Sequence, residues 1–158
     1  MTKKRILNLN EILTYRETLR KVKKTIVFTN GCFDIIHFGH IKYLFEAAKL
    51  GDTLLVAVNS DSSVRKLKGE KRPIFPQEER TEILASLECV DFVTIFEEET
   101  PFNIIKSIVP DVLVKGGDYK IDDIVGKDVV EKNGGKVVTI PYIEGYSTTE
   151  ILKKTGNL

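Results

Sequence analysis

Thr25-Ile26-Val27-Phe28-Thr29-Asn30 runs directly into Gly31-Cys32-Phe33-Asp34 and then into His37-Phe38-Gly39-His40. The first six residues have the apolar, β-branched character of a strand. The next four form a turn, and a helix follows from about Phe38 to Leu50, stopped by Gly51. A strand that passes through a glycine-containing loop into a helix builds an anion site, because free backbone N–H groups and the helix dipole point at one spot. Both histidines of the chain stand in this turn. Three residues apart, they share one face of the helix start. There imidazoles can donate hydrogen bonds to phosphate oxygens, and Gly39 lets a phosphate approach the backbone. The stretch reads as a nucleotide site for attack at an α-phosphorus, with His37 and His40 as catalytic donors. Asn30, Gly31, Cys32, Phe33 and Gly39 line the nucleotide. Asp34, a candidate substrate ligand, either orients an imidazole or caps the turn. A zinc site would need three or four ligands; without a CxxC or a third histidine, no protein-bound metal is expected.

Outward from this stretch, strand-length apolar runs alternate with helical patterns. Leu9 to Val22 reads as a leading amphipathic helix with Asn10 as N-cap, an N-terminal extension over residues 1–24 ahead of a domain over 25–158. Thr53 to Asn59 is the second strand, and a polar stretch from Ser60 to Pro76 follows it. Gln77 to Leu87 is helical, Asp91 to Phe96 a strand, and Thr100-Pro101 opens a helix to Val109 as N-cap and first helical residue. Asp111 to Lys115 is a strand, Ile121 to Lys132 a helix ending at Asn133-Gly134-Gly135, Lys136 to Ile140 the last strand, and Ser147 to Lys154 the last helix. Strands of Val, Ile, Leu and Phe without polar alternation are buried on both faces. Helices between them imply right-handed crossovers and a doubly wound parallel α/β sheet, Rossmann-like, whose ligands bind beyond the strands' carboxyl ends.

The other polar motifs fall at that edge. Asn59-Ser60-Asp61 supplies Asn59 and Asp61 as substrate candidates. Lys115-Gly116-Gly117-Asp118 ends a buried strand; its backbone either makes a turn or packs on a nucleobase or ribose, with Lys115 meeting a phosphate. Gly145-Tyr146-Ser147-Thr148-Thr149-Glu150 contains a capping box, Ser147 at N-cap and Glu150 three residues on. Capping needs one hydroxyl, so Thr148 and Thr149 suggest a second phosphate cradle, and Tyr146 is a candidate for base contacts. The basic run Arg65-Lys66-Leu67-Lys68-Gly69-Glu70-Lys71-Arg72 is either a solvated face or a mobile clamp that brings Lys68, with Arg80 of the next helix, over triphosphate oxygens. The G-x-x-x-x-G-K-[ST] and G-x-G-x-x-G motifs are both absent from the sequence, which disfavours a P-loop kinase and a dinucleotide dehydrogenase.

Composition sets the outer bounds. The 158 residues suffice for one domain with a sizeable core, and 42% hydrophobic with 30% charged residues is an ordinary folded composition. A net charge of +1 gives no steering toward nucleic acid or an anionic membrane. No apolar run approaches the roughly 18 residues that span a bilayer. The basic start, Met1-Thr2-Lys3-Lys4-Arg5, lacks the apolar segment of a signal peptide. Two cysteines without motif spacing fit a reducing compartment, so the cytoplasm is expected.

With those residues in hand, the chain resembles the cytidylyltransferase-like nucleotidyltransferases from Thr25 to Lys154. Gly31 to His40 is similar to that family's phosphate signature, Leu50-Gly51-Asp52 and Val58-Asn59-Ser60-Asp61 follow in order, and Ser147-Thr148-Thr149 matches a late Ser-Thr-Thr element. Within the family, three stretches look most like the adenylyltransferase domain of ADP-heptose synthases: Lys66 to Pro73, Val114 to Tyr119, and Gly134 to Val137 leading to Gly145 to Thr149. Where glycerol-phosphate cytidylyltransferases carry an Arg-Thr pair, this chain has Ile143-Glu144-Gly145-Tyr146, which weakens a cytidylyl assignment. The resemblance implies transfer of AMP from ATP to D-glycero-β-D-manno-heptose 1-phosphate, giving ADP-heptose and pyrophosphate for lipopolysaccharide core. It implies Mg²⁺ carried on the ATP phosphates and a homodimer. Relatives often fuse a sugar kinase ahead of this domain; with Met1 about 25 residues before the first strand, the heptose kinase is expected to be a separate protein. Glycerol-3-phosphate cytidylyltransferase, FAD synthetase and a nucleotide-binding regulatory module remain as alternatives.

Overall fold

The computed structural model describes residues 5–117, 119–141, 143 and 145–156. Its elements alternate as the apolar runs predict. They are α1 (Leu9–Lys21), β1 (Ile26–Gly31), α2 (Phe38–Ala48), β2 (Thr53–Asn59), α3 (Asp61–Lys68), α4 (Gln77–Ala85), β3 (Phe92–Phe96), α5 (Phe102–Ile108), β4 (Val112–Gly116), α6 (Lys127–Lys132), β5 (Lys136–Ile140) and α7 (Thr148–Lys154). The five strands form one parallel sheet in the order β3-β2-β1-β4-β5. Among the described residues no helix is long and apolar enough to cross a membrane.

Burial on both faces explains the unbroken apolar strands. Ile26, Phe28, Leu55, Ala57 and Leu113 face α1, α5 and α6, meeting Ile12, Leu19, Ile105 and Val130. Val27, Val56, Val58, Val112 and Val114 face the other way, onto Leu44 of α2 and Leu84 of α4. Strand alternation therefore decides which side of the sheet each residue beyond these positions serves.

β1 sits where the strand order reverses. It pairs with β2 over six positions, from Ile26↔Thr53 to Gly31↔Val58, but with β4 only at Val27↔Val112 and Phe28↔Leu113. Past Phe28 the two strands separate into the crevice that open α/β sheets use for ligands. The gap is stitched on each face. The Tyr43 hydroxyl donates to the Val114 carbonyl at 3.2 Å and shares a 2.6 Å hydrogen bond with the Thr29 hydroxyl. On the opposite face the Lys115 ammonium donates to Asn30 Oδ1 at 2.5 Å.

Helix α1 packs into the core through an ion pair with no sequence signature. Buried Arg16 makes a bidentate bond to Asp111 (2.7 and 2.9 Å) and donates to the Val109 and Ile108 carbonyls. Asp111 also accepts from the Ile26 amide at 2.7 Å, tying α1 to the starts of β1 and β4. Burial opposes ionisation of Asp111, yet the Arg16 guanidinium and the Ile26 amide outweigh it and hold the carboxyl below the usual aspartate range. Ahead of α1, Ile6 bridges Val93 in parallel, and the Arg5 guanidinium donates to the carbonyls of Ala85, Leu87 and Val90.

Four local expectations need correction. Asn8, not Asn10, caps α1, because Asn8 Oδ1 accepts from the Glu11 amide while Glu11 accepts from the Asn8 amide, a complete capping box. The polar stretch after β2 contains α3, capped by the Ser60 hydroxyl on the Ser63 amide. Pro101 sits at the N-cap of α5 rather than inside it. The helix expected over 121–132 is a 3₁₀ turn at Ile121–Asp123 and a separate α6, divided by Gly126 at φ +87°. A Cβ at Gly126 would lie 2.7 Å from Ile105, so the break is enforced by both backbone and packing.

Candidate active site

The turn between β1 and α2 is held in a tight reversal. Phe33 occupies the left-handed region at φ +46°, uncommon for a bulky residue, and its ring is buried 5.3 Å from that of His40. His37 is the N-cap of α2, and its Nδ1 accepts from the His40 amide at 3.4 Å. An accepting Nδ1 places the proton of a neutral His37 on Nε2, leaving that N–H as its donor. The two imidazoles stack with centroids 3.8 Å apart and 25° between planes. Burial, and then the neighbouring His37, push His40 down to about 4; burial alone lowers His37. At neutral pH both rings are uncharged donors at a helix N-terminus.

Tyr146 reaches back from the segment before α7 onto this pair, 6.5 Å from the His37 ring and 5.3 Å from that of Phe38. A Cβ on Gly39 would lie 3.0 Å from Tyr146 Cβ and 3.1 Å from the His37 ring. Gly39 is therefore the residue that lets these rings close over the helix start, a packing role beyond the phosphate approach read from sequence. The Ser147 hydroxyl caps α7 by accepting from the Glu150 amide at 3.1 Å, and Thr148 and Thr149 form the first helical turn.

Other expected site residues take different places. Arg80, read as a triphosphate cation, is 0% exposed. Its guanidinium donates to the carbonyls of Phe75, Cys32 and Asn59 and to Asp61 Oδ1 at 2.8 Å, so its donors face protein acceptors. Asp61, expected on the substrate, is that pair's carboxylate. Asp34 neither orients an imidazole nor caps its own turn. It is 3% exposed and accepts from Arg72 Nε and the amides of Ile74 and Phe75, fastening the chain after the basic run to the histidine loop. Arg72 carried no signal beyond its charge. Asn59 is buried and donates to Ser63 Oγ at 2.9 Å. Cys32 lies 3.9 Å from Asn59 Oδ1; burial raises its thiol above the usual range, against the opposing charge of Lys68, so it is no nucleophile.

Lys68 ends α3 exposed, and Gly69 follows at φ +97°. Lys115, Asn30 and Asn59 lie together, lining a cavity on the α5 face with Leu67, Glu99, Thr100, Tyr119 and Asp123. Gly116 ends β4, and Gly117, at φ +104°, donates to the Ile140 carbonyl at 2.8 Å, turning the chain off the sheet edge. Asp118 lies outside the described residues.

The model of one family, described as cytidylyltransferase-like, matches residues 28–154. The bifunctional protein HldE of Geobacter sulfurreducens is 55% identical over 131 residues, covering 83% of this chain and 27% of its own length. HldE of Nitratiruptor is 53% identical over 153 residues, covering 97% and 32%. The chain thus spans about a third or less of the length of these curated relatives. Among solved structures, a lipopolysaccharide core biosynthesis protein from Thermoplasma volcanium aligns with a TM-score of 0.63 and 33% identity, over 78% of this chain and 99% of that one. A pantoate-beta-alanine ligase from Francisella tularensis (TM-score 0.60, 15% identity, 96% and 76% covered) shares the fold. The doubly wound sheet and the paired histidines after its first strand are thus those of a nucleotidyltransferase. The chain belongs to the cytidylyltransferase-like family.

Proposed function

We propose that this chain transfers the adenylyl group of ATP to D-glycero-β-D-manno-heptose 1-phosphate, forming ADP-heptose and pyrophosphate. The observation that carries the chemistry is the stacked, neutral His37–His40 pair at the N-terminus of α2. The choice of acceptor is supported by the motif resemblance and by kinship to the HldE proteins. An oxygen of the acceptor phosphate attacks the α-phosphorus in line. As that O–P bond forms, the bond to the bridging oxygen of the β-phosphate breaks, and pyrophosphate leaves with the electron pair. No covalent enzyme intermediate is required, so the protein supplies positioning and charge stabilisation. His37 Nε2–H and His40 donate to phosphate oxygens as negative charge accumulates, and the Ser147-to-Thr149 turn holds the β/γ end. Among the described residues no three His, Cys, Asp or Glu side chains converge on one point. Mg²⁺ carried on the ATP would be held by triphosphate oxygens and water, offsetting their charge.

The direct test is product formation from heptose 1-phosphate with ATP or CTP, alongside glycerol 3-phosphate with each. ADP-heptose and pyrophosphate from ATP are expected. Faster reaction of CTP with glycerol 3-phosphate would reject the acceptor and base while keeping the family chemistry.

Lys68 is the clamp residue in this reading. It stands exposed at the end of α3 beside a glycine hinge, near enough that its charge is the largest one opposing the upward shift of the Cys32 thiol. Lys68→Ala is expected to raise the KM for ATP and lower turnover, because the ammonium engages triphosphate only once the loop closes. Unchanged values of both would leave the basic run as solvated surface.

A further inference from the structure

Two charged residues hold the histidine turn against the far end of the basic segment. The Asp34 carboxylate accepts from Arg72 Nε at 2.5 Å, from the Ile74 amide at 2.7 Å and from the Phe75 amide at 3.0 Å. The Arg80 guanidinium donates to the Phe75 carbonyl and, across the gap, to the Cys32 carbonyl. Phe33 therefore stands between two anchors, the Cys32 carbonyl before it and the Asp34 side chain after it. Its φ of +46° is a conformation that a bulky residue keeps only where its surroundings impose it. The ring so directed is buried against Gly31, where a Cβ would lie 3.1 Å from it. It borders the His40 ring at 5.3 Å, while His37 stacks on that ring at 3.8 Å. Arg72 belongs to the basic segment itself, since its amide closes a turn onto the Gly69 carbonyl at 3.0 Å. Lys68 is placed separately, by α3, which the Asp61–Arg80 pair and the Ser63 hydroxyl on the Glu98 carbonyl hold at its start.

We propose that Arg72 is a positioning residue for the transfer step: through Asp34 it holds the reversal at Phe33, and so sets where the His40 donor points. The kinetic consequence rests on the nucleotidyl-transfer reading above; the effect on the surroundings of His40 does not. Without Arg72 the Asp34 carboxylate keeps its two amides but loses the one cation at ion-pair distance among the described residues. A buried carboxylate left in that state draws in water or turns toward it. Either movement releases the anchor behind Phe33, lets its ring leave His40 and opens that imidazole to solvent. A donor that is no longer fixed must reorganise as charge develops on the transferring phosphoryl group, so the loss falls on turnover. Lys68 keeps its own support in α3, so nucleotide affinity is largely retained.

The test combines steady-state kinetics with an NMR titration of the full chain carrying labelled histidine. Arg72→Ala is expected to lower kcat with ATP and heptose 1-phosphate roughly 10-fold, short of the hundredfold that a 1 Å misplacement costs. The KM for ATP should stay within about twofold, the pattern of an interaction used only in the transition state. In the same folded variant the His40 ring, which burial holds at about 4, should titrate closer to the ordinary 6.5. Among the described residues the titratable group that faces His40 is His37, with the Tyr146 ring beyond it, so both imidazoles are followed together. A purely structural arginine would lower the thermal midpoint and leave the titration and the turnover of the folded fraction as they were. Arg72→Lys returns a cation to Asp34 without the planar fork and should recover part of both readouts. If the alanine variant does not fold, the lysine variant carries the same comparison. A raised KM for ATP with unchanged kcat makes Arg72 a phosphate ligand and overturns the proposal, as does a His40 titration that stays near 4 in folded Arg72→Ala. If the wild type transfers no adenylyl group to the sugar phosphate, the reading of the reaction fails, and a shifted His40 titration still upholds the link from Arg72 to His40.

Discussion

His40→Ala should fold normally and lose roughly 10²–10³-fold in turnover, the loss seen when one preorganised donor is removed from a transition state. The size follows from its placement. His40 is stacked on His37 at the start of α2, held neutral by burial, with Phe33 on its other side. A preset donor of this kind costs no reorganisation when charge develops on the transferring phosphoryl group. A second readout separates this site from an ordinary surface histidine. The unfolded chain binds a proton near pH 6.5 and the folded one only near 4, so wild-type stability declines as pH falls through that window. His40→Ala should lose that segment of the acid sensitivity. A folded variant with near-normal turnover removes His40 from the mechanism.

Arg80→Met should destabilise the protein by about 3–5 kcal/mol, the usual cost of removing one partner from a buried charge network. For a chain of this size that lowers the thermal midpoint by about 10 °C. Met fills much of the volume but leaves the carbonyls of Cys32, Asn59 and Phe75 without their common donor, and Asp61 without its pair. Because Cys32 directly follows β1 and Asn59 ends the neighbouring β2, activity should fall as well. Arg80→Lys should not rescue, since one ammonium cannot span acceptors arranged around a planar guanidinium. Denaturation and ATP kinetics discriminate. An unchanged midpoint with a raised KM for ATP would restore Arg80 to direct phosphate binding.

These two residues mark how far the sequence could be read. The histidine turn was legible because glycine, strand periodicity and two imidazoles coincide within sixteen residues. The sheet was legible because both faces of each strand are buried. Helix α3 was hidden because only Val64 and Leu67 interrupt its polar and basic residues, and its start depends on the Ser60 cap more than on an apolar stripe. Arg80 did leave a trace. It is four residues before Leu84, on the buried face of α4, where an arginine must be paired inward. The face that Lys115 serves could not be read from Val112-Leu113-Val114, because an all-apolar strand gives alternation no polar contrast. Asp34 and Arg72, 38 residues apart, meet only through the fold.

The first described residues have a consequence at the sheet's outer rim. A terminal strand such as β3 ordinarily presents unspent N–H and C=O groups that can recruit another chain. Here the Val93 amide donates to the Arg5 carbonyl and the Val93 carbonyl accepts from the Leu7 amide, both at 2.9 Å. The molecule therefore performs strand addition on itself, blunting self-association along that border with its own leading segment.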